Sequence, residues 1–250
     1  MEKIELPEPL KSLFSVEHGA LANFFGSAGT GKTNICLLLA VECASNGGKV
    51  AYIDTEGGFS VERVNQIING SYQSKKTNNI LNSIILLEPK NFQEQGEIIR
   101  TLEREKFDII VLDSAVALYR LESSEKKNGN VNLKNADGKF STKDYYKTEL
   151  SDYNRELSKQ LSILSSIARL KKIPVVVTAH TYKNWDTGDN ELVGGESIKY
   201  WSKSIIFVEK TGKTGERKAT IVKHRSQPEG KSVKFQIVEE GIKPAGFKIF

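Results

Sequence analysis

The chain has 250 residues, 38% apolar and 27% charged, with net charge +5 and a pI near 9.0. That mixture supports a packed core and argues against global disorder. No apolar run reaches 18 residues, and Cys36 and Cys43 stand seven apart in a helical pattern, about 10 Å, so neither a membrane span nor a disulfide scaffold is expected.

The N-terminus, MEKIELPEPLKSLF, is acidic and proline-bearing and carries no signal-peptide pattern, so a cytoplasmic location is expected. Residues 1–20 read as a lead-in. LANFF (21–25) is a short apolar run ending at a glycine loop, as a buried strand would. TNICLLLAVECAS (33–45) is apolar on nearly every side, which fits a helix packed between a sheet and its neighbours. KVAYID (49–54) reads as a strand. Ser60 can cap a helix over 61–69. SIILLE (83–88) is a further strand, and Asn91 with Glu94 suggests a capping box opening a helix over 92–104. FDIIVLD (107–113) is an apolar strand ending in an acid. Residues 120–148 mix cations with Asn, Ser, Gly and Asp and read as one long loop. Leu150, Tyr153, Leu157, Leu161, Leu164, Ile167 and Leu170 then recur at helical spacing. IPVVVTA (173–179) is a strand, and 181–195 a second polar loop. SIIFVE, KATIVK and KFQIVE read as three strands joined by glycine turns. Strand–helix alternation followed by a strand-rich tail predicts an α/β fold, a mostly parallel sheet flanked by helices with an antiparallel C-terminal extension.

GSAGTGKT (26–33) is the complete G-x-x-x-x-G-K-[ST] pattern: Gly26, Ser27, Ala28, Gly29, Thr30, Gly31, Lys32 and Thr33. Glycines let backbone N–H groups curl around phosphate oxygens. Lys32 supplies a point charge at the β- and γ-phosphates, and the Thr33 hydroxyl suits Mg²⁺. The loop follows a predicted strand and opens a predicted helix, the context the chemistry requires. Asp113, ending its strand beside the loop, can hold the Mg²⁺ shell. In YIDTEGGF either Glu56 or Asp54 could polarise an attacking water, and spacing does not separate them.

A second cationic cluster, Lys223, His224 and Arg225, closes the run TIVKHR. Residues 199–234 carry eight Lys and two Arg against three Glu, so the positive excess sits in the last quarter. His18 precedes Gly19 in a turn-like entry and reads as structural. His224 receives no role. Cations and aromatics in the two polar loops form the combination that gathers phosphates and stacks on unpaired bases. They are Arg120, Lys126, Lys127 and Lys134, with Lys139, Lys143 and Lys147, in the first, and Tyr182, Lys183 and Trp185 in the second.

Taken together, FFGSAGTGKTN, YIDTEGGFSVERV, IIVLDSAVALYR and LVGGESIKYWSKSIIFVEK…IVKHRSQPEG resemble the RecA-type recombinase superfamily, and within it the short archaeal recombinase paralogues. The resemblance spans about Pro7 to Gly241 and implies a single RecA-like P-loop ATPase domain over 1–250, with ATP and Mg²⁺ as cofactors. It favours Glu56 over Asp54 as the water-activating carboxylate. It marks 120–148 and 181–195 as counterparts of the family's DNA-binding loops. Lys223 and Arg225 resemble the Lys-x-Lys or Lys-x-Arg of RecA and KaiC-type ATPases, which reaches the next subunit's ATP.

The sequence also departs from the family. His180 stands where the family usually has Asn-Gln, the glutamine being a γ-phosphate sensor. The first polar loop is long. Only 25 residues precede Gly26, too few for the helical N-terminal domain and Phe-bearing linker of filament-forming members, so long filaments are not expected. The resemblance thus implies an ATP-binding, single-stranded-DNA-binding accessory protein of recombination and repair. It would hydrolyse ATP weakly, modulate the main RadA-type recombinase and self-associate through the ATP interface. A DNA-dependent ATPase performing strand exchange, or a KaiC-like signalling ATPase, are the alternatives.

Overall fold

The computed structural model describes residues 4–71, 77–128, 142–183 and 190–246, excepting the side chains of 71, 77, 78, 125–128, 142–150, 183 and 190. Its strands are β1 (Leu21–Gly26), β2 (Val50–Asp54), β3 (Ile84–Leu87), β4 (Ile109–Asp113), β5 (Val175–Lys183), β6 (Asn190–Leu192), β7 (Ser204–Lys210), β8 (Glu216–Lys223), β9 (Ser232–Val238) and β10 (Gly241–Pro244). Its helices are α1 (Leu10–Leu13), α2 (Lys32–Ser45), α3 (Val61–Ser71), α4 (Thr77–Asn82), α5 (Phe92–Thr101), α6 (Ala117–Asn128), α7 (Thr142–Lys171) and α8 (Gly195–Trp201). One sheet runs β10-β9-β8-β7-β1-β5-β4-β2-β3, with β6 paired to β5. The pairings from β7 through β1 to β3 are parallel; those from β7 out to β10 are antiparallel.

Strands β1, β2 and β4 are buried at every residue, which is why their sequences are continuously apolar rather than alternating. Helices cover both faces. On one, Ile35, Leu37, Leu39 and Val41 of α2 pack with Leu10 and Leu13 of α1 and Val64 and Ile67 of α3 over Phe24, Tyr52 and Ile206. On the other, Leu157, Leu161 and Leu164 of α7 join Phe92, Leu118 and Ile198 over Phe25, Ile53 and Leu112. Each fully buried aliphatic side chain contributes about 1.5–3 kcal/mol. Cys36 and Cys43 are free, buried members of the α2 core.

The elements follow the sequence pattern with instructive differences. Ser60 accepts from the Arg63 N–H and Asn91 from the Glu94 N–H, so both expected caps form. Glu94 reaches back to the Lys90 N–H instead of closing the box on Asn91. The expected 120–148 loop is corrected: α6 runs on to Asn128 and α7 begins at Thr142. Glu122, within the expected loop, sits on α6 and accepts from the Phe92 N–H at 2.6 Å, capping α5. The 181–195 loop is also shorter than expected, because Thr181–Lys183 pair antiparallel with Asn190–Leu192. The one-turn helix α1 and strand β10 had no expectation; both are too short to carry a periodic signal. Among the described residues no helix is long and apolar enough to cross a membrane.

Strand β10 is clamped by Arg63. Its guanidinium donates to the carbonyls of Val238 and Glu239 at 2.7 Å and of Gly241 at 3.2 Å, to Asn34 Oδ1 of α2 at 2.7 and 2.9 Å, and to Gln66 at 2.9 Å. We expect Arg63→Ala to cost about 2 kcal/mol, seen as a lower urea midpoint, because partly buried carbonyls lose a charged donor. Arg63→Lys should recover only part, since an ammonium cannot reproduce the planar fork. An unchanged midpoint for Arg63→Ala would disprove the clamp.

Candidate functional site

The loop 26–33 links the central strand β1 to the start of α2. Gly26 is obligatory: a Cβ there would stand 2.0 Å from the Val208 carbonyl oxygen of β7. Gly31, directly before the helix, has φ 101°, a conformation side-chain-bearing residues rarely adopt. Lys32 is only 6% exposed, and its Nζ donates to the carbonyls of Gly26 at 2.9 Å and Ser27 at 3.0 Å. Burial pulls its ammonium below the ordinary range, while the Asp113 and Glu56 carboxylates oppose that pull. Thr30 Oγ1 donates back to the Ser27 carbonyl, closing the loop on itself.

Parallel pairing delivers the acids. β4 and β2 set Asp113 beside Asp54, and β5 sets His180 beside Gly26. Asp113 is 4% exposed and accepts from the hydroxyls of Tyr52, Thr178 and Thr33. Burial pushes its carboxyl above the usual range despite those donors. The Asp113–Ser114 peptide is cis. Thr33 and Asp113 therefore present hard oxygens side by side at the helix start. One carboxylate with a hydroxyl is the donor set that Mg²⁺ shares with a substrate's phosphates, so these residues fit that ion.

The geometry separates the two candidate bases. Asp54 is buried and spends both oxygens on the N–H groups of Glu56, Gly58 and Phe59, at 3.0, 3.2 and 2.8 Å, so it shapes the turn. Glu56 points instead toward the loop. Its Oε1 accepts from His180 Nε2 at 2.5 Å, and it also takes the Ser114 hydroxyl. Burial raises the Glu56 carboxyl, but His180, Ser114 and Lys32 outweigh burial and leave it below its ordinary value.

The C-terminal cations lie elsewhere. Lys223 is paired with Ile205, where β7 begins, whereas the loop follows the opposite end of β1. Lys223 Nζ donates to the carbonyls of Lys199 at 2.7 Å and Ser202 at 2.9 Å, satisfying the end of α8. Arg225 lies 3.5 Å from Glu17 and is half exposed. His224 Nδ1 accepts from the Ser226 N–H, and His18 Nδ1 contacts the Lys172 carbonyl, consistent with a structural histidine.

Of the DNA-loop candidates, Arg120 and Tyr182 line one cleft of about 1320 Å³ that extends to Lys199 and Lys223. Lys134, Lys139 and Trp185 fall outside the described residues, as do the side chains of Lys126, Lys127, Lys143, Lys147 and Lys183.

Sequence reasoning missed Tyr52, Thr178 and Ser114, which hydrogen-bond the Asp113 and Glu56 carboxylates, and Lys210 and Arg217, which stand against the loop. The seven-residue spacing of Lys210 and Arg217 around a Gly-containing turn was the available signal.

A glycine loop that follows a central parallel strand and cradles a buried lysine, with carboxylates at the ends of β4 and β2 further along the same sheet, defines a RecA-like P-loop ATPase architecture. The chain belongs to the Rad51 family, whose sequence model matches residues 10–245. It is similar to the DNA repair and recombination protein RadB of Methanobrevibacter smithii, 39% identical over 236 residues, covering 91% of this chain and 88% of that protein. RadB of Methanococcoides burtonii is 39% identical over 241 residues, covering 94% and 95%. A crystal structure of the RadB recombinase superposes with a TM-score of 0.73 at 31% identity, over 95% of this chain and 97% of that one. The family implies nucleotide binding.

The contrast between the two acids is measurable. Asp54→Ala should lower the unfolding midpoint by freeing three N–H groups. Glu56→Gln should destabilise modestly at neutral pH. Because the Glu56 carboxyl is lowered on folding, its stabilisation is present above the ordinary glutamate value and lost as pH falls through the folded value. The gap between wild type and Glu56→Gln should therefore close in acid; a gap constant with pH would refute the assignment.

Proposed function

We propose that the chain is an ATP-binding accessory protein of homologous recombination and DNA repair, a single RecA-like domain that binds single-stranded DNA and modulates a RadA-type recombinase. The observation that carries this is the convergence of Lys32, Thr33, Asp113, Glu56 and His180 at one end of the parallel sheet, in a chain whose relatives are named for recombination.

In this reading the N–H groups of 26–33, Ser27, Ala28, Gly29 and Thr30 among them, cradle the β- and γ-phosphates. Lys32 exchanges its two loop carbonyls for phosphate oxygens. Thr33 and Asp113 would hold Mg²⁺, which would supply charge neutralisation of the phosphates. Glu56 accepts the proton of a water whose oxygen attacks the γ-phosphorus as the bond to the β-phosphate oxygen breaks. His180 orients Glu56, but its hydrogen bond also lowers the basicity of that carboxylate. Slow hydrolysis follows, with ATP acting chiefly as a conformational switch.

The position of Lys223 and Arg225, at the opposite end of the sheet from their own loop, supports service to a neighbouring copy's ATP. A cation arriving in trans would make turnover report assembly. Lys223 would have to leave the α8 carbonyls to do so; among the described residues Arg225 has a partly exposed ion pair with Glu17 to break. Arg120 and Tyr182, sharing one cleft, support the DNA contact, with Lys126, Lys127, Lys134, Lys183 and Trp185 as further contributors.

The test is ATP turnover with and without single-stranded DNA, alongside mass determination with and without ATP. Expected are turnover well below the roughly 10 per second typical of enzymes, stimulation by DNA, and a larger assembly with ATP. DNA affinity should fall with salt at a log–log slope of about −0.7 per phosphate contacted. Lys32→Ala should abolish nucleotide binding, and Arg225→Ala should keep binding while losing turnover and assembly. Strong strand exchange would favour the recombinase alternative. Absent DNA binding with a stable ring would favour the signalling one.

A further inference from the structure

Strands β7 and β8 bring two cations directly opposite one another. Lys210 and Arg217 are register partners at the end of the hairpin nearest the glycine loop. Like charges in that arrangement repel, and sheets normally oppose a cation with a carboxylate. Two carboxylates are adjacent in sequence, Glu209 and Glu216. Strand alternation places them on the other face of the sheet. There Glu209 pairs with Lys218 at 3.6 Å, and Glu216 with Lys234 at 3.8 Å. The face that carries α2 therefore holds the two cations without either acid. Among the described residues neither Lys210 nor Arg217 forms an ion pair.

Both cations abut the loop. Arg217 Nη2 donates to the Gly29 carbonyl at 3.2 Å, and Nη1 to the Glu216 carbonyl at 3.0 Å. Its Nε is buried with no partner. Lys210 Nζ stands 3.2 Å from where a Cβ on Gly29 would be. Lys210 is exposed and its long stem can swing. An uncompensated cation pair resting on a phosphate-binding loop is half of an anion site.

The sheet order gives its place along the ligand. Asp113, Glu56 and His180 lie on the β5, β4 and β2 side of β1, so the reacting γ-phosphate faces that side. Strands β7 and β8 lie on the other side of β1. We propose that Lys210 and Arg217 form a second phosphate contact at the outer rim of the loop, gripping the phosphates nearest the sugar of a nucleotide bound in the same chain. Arg217 fixes the loop apex through Gly29, and Lys210 closes over the ligand. This contact is common to ATP and ADP, so it holds the nucleotide through hydrolysis and sets product release instead of the chemical step. The inference rests on the proposed nucleotide site.

The experiment is calorimetric titration of wild type, Lys210→Ala, Lys210→Arg and Arg217→Lys with ATP and with ADP, using Lys32→Ala as the reference for a lost site. Lys210→Ala is expected to weaken ATP and ADP alike by about tenfold, the scale of one charge-assisted contact. Lys210→Arg should restore most of that affinity, and Arg217→Lys should weaken both ligands several-fold. Unchanged affinities in Lys210→Ala would overturn this inference while leaving the loop intact as a site. Weakening of ATP with ADP unaffected would place the contact at the γ-phosphate and refute a grip on the phosphates nearer the sugar. A change only in self-association, with nucleotide affinity unaltered, would assign the pair to a neighbouring copy and overturn it equally. No binding by wild type would remove the nucleotide site itself, and this inference with it.

Discussion

The structure depends on keeping one ammonium charge out of water. Lys32 is almost wholly buried at the first turn of α2, where the helix dipole itself repels a cation. Two backbone carbonyls of its own loop compensate, and they face inward only because the loop turns back on itself at glycines. The loop in turn can approach β7 only because Gly26 has no side chain. The nearest acids, Asp113 and Glu56, favour the charged form across space without forming an ion pair with it. The result is a cation held by weak, replaceable partners. A phosphate offers the same geometry with full negative charge, and the exchange costs little reorganisation.

The acids show the opposite arrangement, each secured by hydroxyl or imidazole donors that the sheet supplies. Tyr52 and Thr178 come from strands on either side of β4 and hold Asp113 from both flanks. Ser114, next in the chain, hydrogen-bonds Glu56, and Thr55 Oγ1 donates to the Ser114 carbonyl at 2.9 Å. The β2 and β4 ends are thereby tied into one rigid unit. His180 connects this unit to the distal hairpin, because its carbonyl accepts from the Val193 N–H just before α8. His180 therefore touches Glu56 through its ring and, through its carbonyl, Val193, which lines the same cleft as Arg120 and Tyr182.

Much of this was legible in the sequence. The phosphate loop is contiguous, so its residues and their context can be read directly. Strands β1, β2 and β4, and β5 as far as Ala179, are buried on both faces, and their apolar runs announce them. What was not legible depends on register and on backbone donors. Asp54 and Glu56 are two residues apart on one strand end, and only the turn's N–H groups, invisible in the letters, decide that Asp54 is consumed locally. Lys210 and Arg217 become neighbours only through a hairpin register. The 120–148 stretch reads as a loop because its helical ends are polar, so no apolar stripe marks them.

The basic last quarter is the clearest case of a composition whose meaning changes once each residue has a place. Lys223 and Lys231 serve as carbonyl caps, on α8 and on Ser12 of the N-terminal turn. Lys218 and Lys234 are matched by glutamates on one face of the extension, and Arg225 leans on Glu17. A charge excess that suggests one nucleic-acid patch is in fact divided by strand alternation into structural donors, ion pairs and an uncompensated remainder. The exposed Lys218–Glu209 pair contributes little free energy, whereas Lys234 meets a buried carboxylate, Glu216. Of that remainder, which among the described residues also includes Lys203 and Lys213, Lys210 and Arg217 stand against the glycine loop, and the proposed phosphate contact would turn their mutual repulsion into attraction.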